Sequence, residues 1–147
     1  MSMTGLSTFD RTVHEANDWL KDIMFELSWE DRQRAYQALR ATLHALRDRL
    51  TIQEVKDLGA QLPMLIRGMY YEGWTGHATP EKIRHLDDFL ARVRREIVNG
   101  EAEDIEAVTR AVFKMLRHRI SKGEIEDLEG ILPEPIRELW PHQPAAM

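Results

Sequence analysis

Three groups of side chains have the residue types and spacing that chemistry requires. Glu81 and His85 stand four apart on one predicted helix face, with His77 and Asp88 nearby. Imidazole and carboxylate grouped in this way can share a zinc ion. The same spacing also makes an exposed i,i+4 ion pair, and no His-Glu-x-x-His or Glu-x-x-His pattern accompanies it. The segment therefore reads as a surface helix, and no metal and no cofactor are expected. The paired acids Asp87–Asp88 and Glu103–Asp104 would suit general acid–base work if burial or a like charge shifted their pKa. They fall beside predicted helix starts, where an acid meets the positive end of the helix dipole, so the structural reading is preferred. Arg92, Arg94 and Arg95 resemble a basic patch. Between Glu81 and Ile97, however, Lys82 and Arg84 bring the cations to five against four acids, a net of only +1. A solvated, salt-bridged face is expected there.

One further cluster could grip a ligand or partner: Tyr70-Tyr71-Glu72-Gly73-Trp74. Aromatic rings beside an acid can recognise a ligand or anchor a protein contact. The competing reading is internal. Tyr and Trp bury large areas, and Gly73 ends a helix so that the chain can turn. Tyr70, Tyr71, Glu72 and Trp74 are the candidate contact residues.

Composition narrows the rest. The chain has 147 residues, 43% apolar and 31% charged, which is globular usage and argues against disorder. Cysteine is absent, which removes disulfides, thiolate metal sites and a cysteine nucleophile. A net charge of −5 disfavours binding to nucleic acid, which needs a basic face. No apolar run approaches the roughly 20 residues of a membrane span, and Met1–Phe9 lacks the pattern of a signal peptide. A cytoplasmic protein that binds neither membrane nor nucleic acid is expected. There is no Gly-rich phosphate loop and no G-x-S-x-G elbow. A non-enzymatic role is expected.

The elements that carry these residues are set by a duplication. Shifted by 70 residues, the chain lies on itself without a gap, with 15 identities in the 50 positions from Asp18 to Arg67. Composition alone would give about three. In the first copy Phe9, Val13, Ala16, Leu20, Ile23 and Leu27 form one apolar stripe at helical period, and Ala35, Leu39, Leu43, Leu46 and Leu50 form the next. The second copy answers with Ile83, Leu86, Leu90, Val93 and Ile97, then Ile105, Val108, Val112, Leu116 and Ile120. Thr51 with Glu54, and Ser121 with Glu124, have capping-box spacing and predict helix starts. Pro63 and Pro133 suit the first turn of a short further helix. Thr79 and Pro80 predict an N-cap and first helical residue after a glycine-containing linker. The fold class is therefore all-α, with two tandem repeats of a three-to-four-helix unit packed into one compact domain. The expected divisions are a disordered N-terminus over 1–8, repeats over 9–71 and 80–140, a linker over 72–79 and a tail over 141–147.

Three separated motifs carry a resemblance. Leu62-Pro63-Met64-Leu65-Ile66-Arg67-Gly68-Met69-Tyr70-Tyr71-Glu72-Gly73-Trp74 is similar to the hallmark of the domain-of-unknown-function 2267 family. So are Arg84 to Val93, and Arg119 to Leu128 followed by Leu132-Pro133. Pro135 departs from the pattern. The resemblance implies a small, helical, bacterial cytoplasmic protein and transfers no catalytic residue. The expected function is a scaffold or regulatory module acting through a protein partner or self-association. The alternative is a small-molecule binder with its pocket between the repeats near Tyr70–Trp74.

Overall fold

Where apolar residues recur at helical spacing, the chain is helical. The computed structural model describes residues 3–76, 81–100 and 103–141, and among them every regular element is a helix and there is no strand. The order is α1 (Ser7–Leu27), α2 (Arg32–Asp48), α3 (Ile52–Ala60), α4 (Met64–Tyr71), α5 (Leu86–Arg94), α6 (Ile105–Arg119), α7 (Lys122–Ile131) and α8 (Glu134–Arg137).

Local chemistry fixes the breaks. α1 ends at Ser28, a non-glycine residue in the left-handed region at φ 55°, and Trp29 N–H turns back to the Met24 carbonyl at 2.8 Å. Asp31 restarts the chain by accepting from the backbone N–H groups of Gln33 and Arg34. At α3 the capping box is complete: Thr51 accepts from Glu54 N–H, and Thr51 N–H donates to the Glu54 carboxylate at 2.8 Å. At α7 only half of it forms. Ser121 accepts from Glu124 N–H, but Ser121 N–H donates to Gln61 Oε1 at 3.3 Å, so the reciprocal bond is taken by the α3–α4 turn. Pro63 and Pro133 stand one residue before the first turn, as N-caps, Pro63 in extended conformation.

The centre of the compact helical domain is formed by α2 and α6, whose Leu39, Leu43, Leu46, Val108, Val112 and Leu116 are buried. α1 packs on α2, α4 and α6, and α2 also packs on α5. Phe113 stacks on Trp140 at 4.1 Å and lies 6.2 Å from Phe89, which ties α5, α6 and the segment after α8 together.

Some expectations change. Ser7 and Thr8, expected in a disordered N-terminus, belong to α1, while Met1 and Ser2 lie outside the described residues. The helix after the linker starts at Leu86, not near residue 80. Residues 81–84 are irregular because Glu81 N–H donates to the Asp48 carbonyl, and Arg49 Nε donates to the Ile83 carbonyl. These bonds hold that stretch along the end of α2. The predicted cap Thr79, with Pro80, lies outside the described residues, as does the tail from His142 onward. Phe9, placed in the core by its stripe, is 51% exposed.

Candidate functional site

A groove of about 720 Å³ lies between the first half of α1 and α4, with Tyr36 of α2 in its lining. Phe9, Val13 and Leu20 line one side, and Met64, Leu65 and Gly68 the other. Its size lies within the range of small-ligand and peptide-anchor sites. The walls are set locally. The N-cap of α4 is Pro63, which has no side-chain acceptor, and Leu65 N–H is satisfied by Thr12 Oγ of α1 at 3.1 Å. One helix therefore caps the other, and that bond fixes their spacing. Met64 and Leu65 remain 56% and 50% exposed at the rim. Thr4, through its N–H and its hydroxyl, donates to Asp10 Oδ1 at 2.9 and 2.7 Å, folding the N-terminal segment onto the start of α1. Among the described residues that line it, Glu72 is the one charged side chain.

The four candidate contact residues divide. Glu72 lines the groove. Tyr70 is fully buried, and its hydroxyl donates to the Val55 carbonyl at 2.9 Å. Burial pushes that hydroxyl well above the ordinary phenol range. Tyr71 meets Tyr70 edge-on at 5.0 Å, and its ring end lies over Gly59. Trp74 is half-buried against Tyr71 at 5.6 Å. The backbone here is clamped by Arg47, which donates to the carbonyls of Tyr70 and Glu72 at 2.8 and 2.7 Å. The groove is lined wholly by residues between 4 and 72, so it lies on one side of the expected boundary rather than across it.

A polar seam joins α2 to α5. His44, 2% exposed, faces Glu96 Oε1 through Nδ1 at 2.9 Å and the Met69 carbonyl through Nε2 at 2.8 Å. Arg92 bridges Asp48 and Glu96, and Arg40 reaches Glu96 at 3.3 Å. Arg92 is only 11% exposed, so it is no part of a solvated basic face; Arg94 and Arg95 are exposed. Burial alone would raise the Asp48 carboxyl, but its bonds to Arg47 and Arg92 outweigh that and hold it below the usual carboxylate range. For Glu96 burial is likewise outweighed, by His44 and then Arg92, and the carboxyl is held low. With each acid bonded to a cation, and both His44 nitrogens bonded to acceptors, the seam presents no base or nucleophile.

A second, acidic cleft of about 450 Å³ separates α3 from α7, lined by Glu54, Asp57, Glu124 and Asp127. Burial, then the neighbouring charges of Asp57, Asp127 and Glu54, push the Glu124 carboxyl up. Among the described residues no group of three or more His, Asp or Glu is placed to hold a metal ion. The suggested set around His85 cannot be completed there, since His77 lies outside those residues. Of the paired acids, Asp87 and Asp88 are exposed, Asp104 caps α6, and Glu103 is bound by Arg34 at 2.7 Å. No helix among the described residues is long and apolar enough to cross a membrane.

Sequence reasoning missed the groove, although its signal was present. Met64-Leu65 in the first copy stand opposite Glu134-Pro135 in the second, and Gly68 stands opposite Glu138. Identities drew attention to the shared residues, while the groove is built from the differences.

The family model described as an uncharacterized conserved protein (DUF2267) matches residues 16–139, and the chain belongs to that family. No match is found among curated proteins.

Proposed function

We propose that this DUF2267 member is a non-enzymatic module acting through protein contacts, made in the groove between α1 and α4. The observation that carries the reading is the groove itself, with Phe9, Met64 and Leu65 each about half exposed in an apolar lining. Large apolar side chains gathered at one concave face mark an interaction site. The absence of an uncommitted base or nucleophile from the polar seam supports a non-enzymatic role. A small-molecule pocket beside Tyr70 and Trp74 has less support, since Tyr70 is buried and Tyr71 and Trp74 pack on each other.

The same proposal takes the chain as two tandem copies of one unit. Its support is the pairing of equivalents. Leu46 and Leu116 are both fully buried, and Thr51 and Ser121 both cap helices. α1 packs on α6 as α5 packs on α2, and Glu26–Lys114 answers Glu96–His44 at the 70-residue offset. A cytoplasmic setting belongs to the proposal and suits a chain without cysteine.

The test is parallel affinity capture from native cells with the parent chain, Met64→Glu and Leu65→Glu, each first shown to be folded. A partner held by the parent and lost by both variants is expected. If every protein retained by the parent is retained equally by the variants, the groove is not the interface.

A further inference from the structure

We infer that the groove accepts an amphipathic α-helix that crosses α4 at Gly68 and brings a basic residue to Glu72; this rests on the protein-contact reading above and names the partner's chemistry. The first ground is Gly68. It lies within α4, where glycine is the poorest helix former after proline. A Cβ built there would meet no heavy atom within 4 Å, so nothing in the packing of this chain requires glycine. Gly59 is the contrast, because a Cβ there would collide with the Tyr71 hydroxyl. What the missing side chain at 68 provides is open space in the groove wall, into which another backbone can come close.

The second ground is internal comparison. Seventy residues on, the places of Met64, Leu65 and Gly68 are taken by Glu134, Pro135 and Glu138. There the helix after Leu-Pro is four residues long against eight, keeps the buried Ile136, and forms without methionine, leucine or glycine at those three places. The apolar, open wall at Met64, Leu65 and Gly68 is therefore not inherited from what the two copies share.

The third ground is shape and charge. The groove is bounded by two helices, and α4 is eight residues long, about 12 Å at 1.5 Å per residue. That length matches anchors at i, i+3 or i+4, and i+7 of a docked helix. Met64 and Met69, with flexible thioether side chains, can adapt to such anchors. Among the described residues the lining offers no cation to a carboxylate or phosphate. Its one charge, Glu72, is 55% exposed, and Arg40 meets it only at 3.5 Å. A neutral apolar body with a cation at one end fits this arrangement, and an acidic ligand does not.

The test pans a displayed library of roughly 15-residue peptides, about four helical turns, on the full chain. Affinities of the selected peptides are then measured for the parent, Met64→Glu, Gly68→Leu and Glu72→Gln. Expected are peptides that become helical on binding, with an apolar i, i+3/i+4, i+7 stripe and Lys or Arg at one end. Gly68→Leu should weaken them by about tenfold or more without lowering its own unfolding midpoint. Glu72→Gln should abolish the advantage of the basic end over a Lys→Gln peptide. If the peptides bind Met64→Glu and Gly68→Leu as tightly as the parent, both the helix and the groove reading fall. If binding depends on Gly68 but the peptides stay extended, the helix alone is overturned. The same holds if only the neutral dye Nile red binds in a Gly68-dependent way, and the groove then takes an extended strand or a small apolar molecule.

Discussion

His44 sits between two acceptors: its Nδ1 faces Glu96 Oε1 at 2.9 Å and its Nε2 faces the Met69 carbonyl at 2.8 Å. A backbone carbonyl has no proton to give, and the Glu96 carboxyl is held below the usual range by His44 and Arg92 despite its burial. The bond to the Met69 carbonyl therefore requires an N–H at Nε2. Long-range nitrogen–proton spectra of the imidazole should show His44 Nε2 carrying a proton. Glu96→Ala leaves the ring facing one lost partner and should cost about 1–3 kcal/mol in urea unfolding. A proton missing from Nε2, or an unchanged midpoint, would contradict this arrangement.

The seam also sets the response to acid. Asp48 and Glu96 are both held low in the folded chain, against burial, by their bonded cations. A carboxyl whose folded pKa lies below its unfolded value stabilises the fold above the ordinary value of roughly 4, and that stability is lost as pH falls through the folded value. The melting temperature should therefore fall as the pH drops below about 4. In the double variant Asp48→Asn/Glu96→Gln the parent starts higher at neutral pH, and the gap should close with acid. A gap that is constant from neutral pH to pH 3 would sink the assignment.

Glu124 carries the opposite sign. Burial and the charges of Asp57, Asp127 and Glu54 raise its pKa, so its ionised form weakens the fold. Glu124→Gln should be more stable than the parent at neutral pH. The advantage should shrink as pH falls through the raised value, where the parent's carboxyl takes up its proton. Thermal melts at two pH values decide it, and a destabilised Glu124→Gln would mean that its place near the α7 N-terminus outweighs its acidic neighbours.

Two helix glycines should respond in opposite directions to alanine. Gly68→Ala adds a Cβ that meets nothing and should stabilise α4 by roughly 0.5–1 kcal/mol. Gly59→Ala would press on Tyr71, whose ring is backed by Tyr70 and Trp74, and should cost about 1–3 kcal/mol. Denaturant midpoints of the two variants should lie on either side of the parent's.

The stripes of α2 and α6 were legible because every residue in them faces a core, and period alone finds such positions. Phe9 belongs to a stripe of the same period yet lines the open groove, since periodicity reports a face and not what covers it. The complete box at Thr51 could be read from its spacing. Ser121 has the same spacing, but Gln61 intervenes from a turn 60 residues away, which no local pattern reveals. Arg92 looked solvated for the same reason: Asp48 at the end of α2, which it bridges, is 44 residues away in sequence. In the candidate site Glu72 was visible beside its aromatic neighbours, whereas Gly68 was not, because an absent side chain gives no signal until its surroundings are known.

The packing of α1 on α6 has a consequence for the order in which the chain is made. Glu26 meets Lys114 across 88 residues, and Asp22 meets Arg119 across 97. At roughly 5–20 residues per second of synthesis, α1 leaves the ribosome several seconds before the helix that covers this face exists. During that interval α2, α3 and α4 can assemble on α1, but the side carrying Asp22 and Glu26 stays bare. The joint between α1 and α6 can therefore close only after most of the chain has been made. A nascent chain stalled before α6 displays that uncovered side to whatever chaperone or neighbouring polypeptide reaches it first.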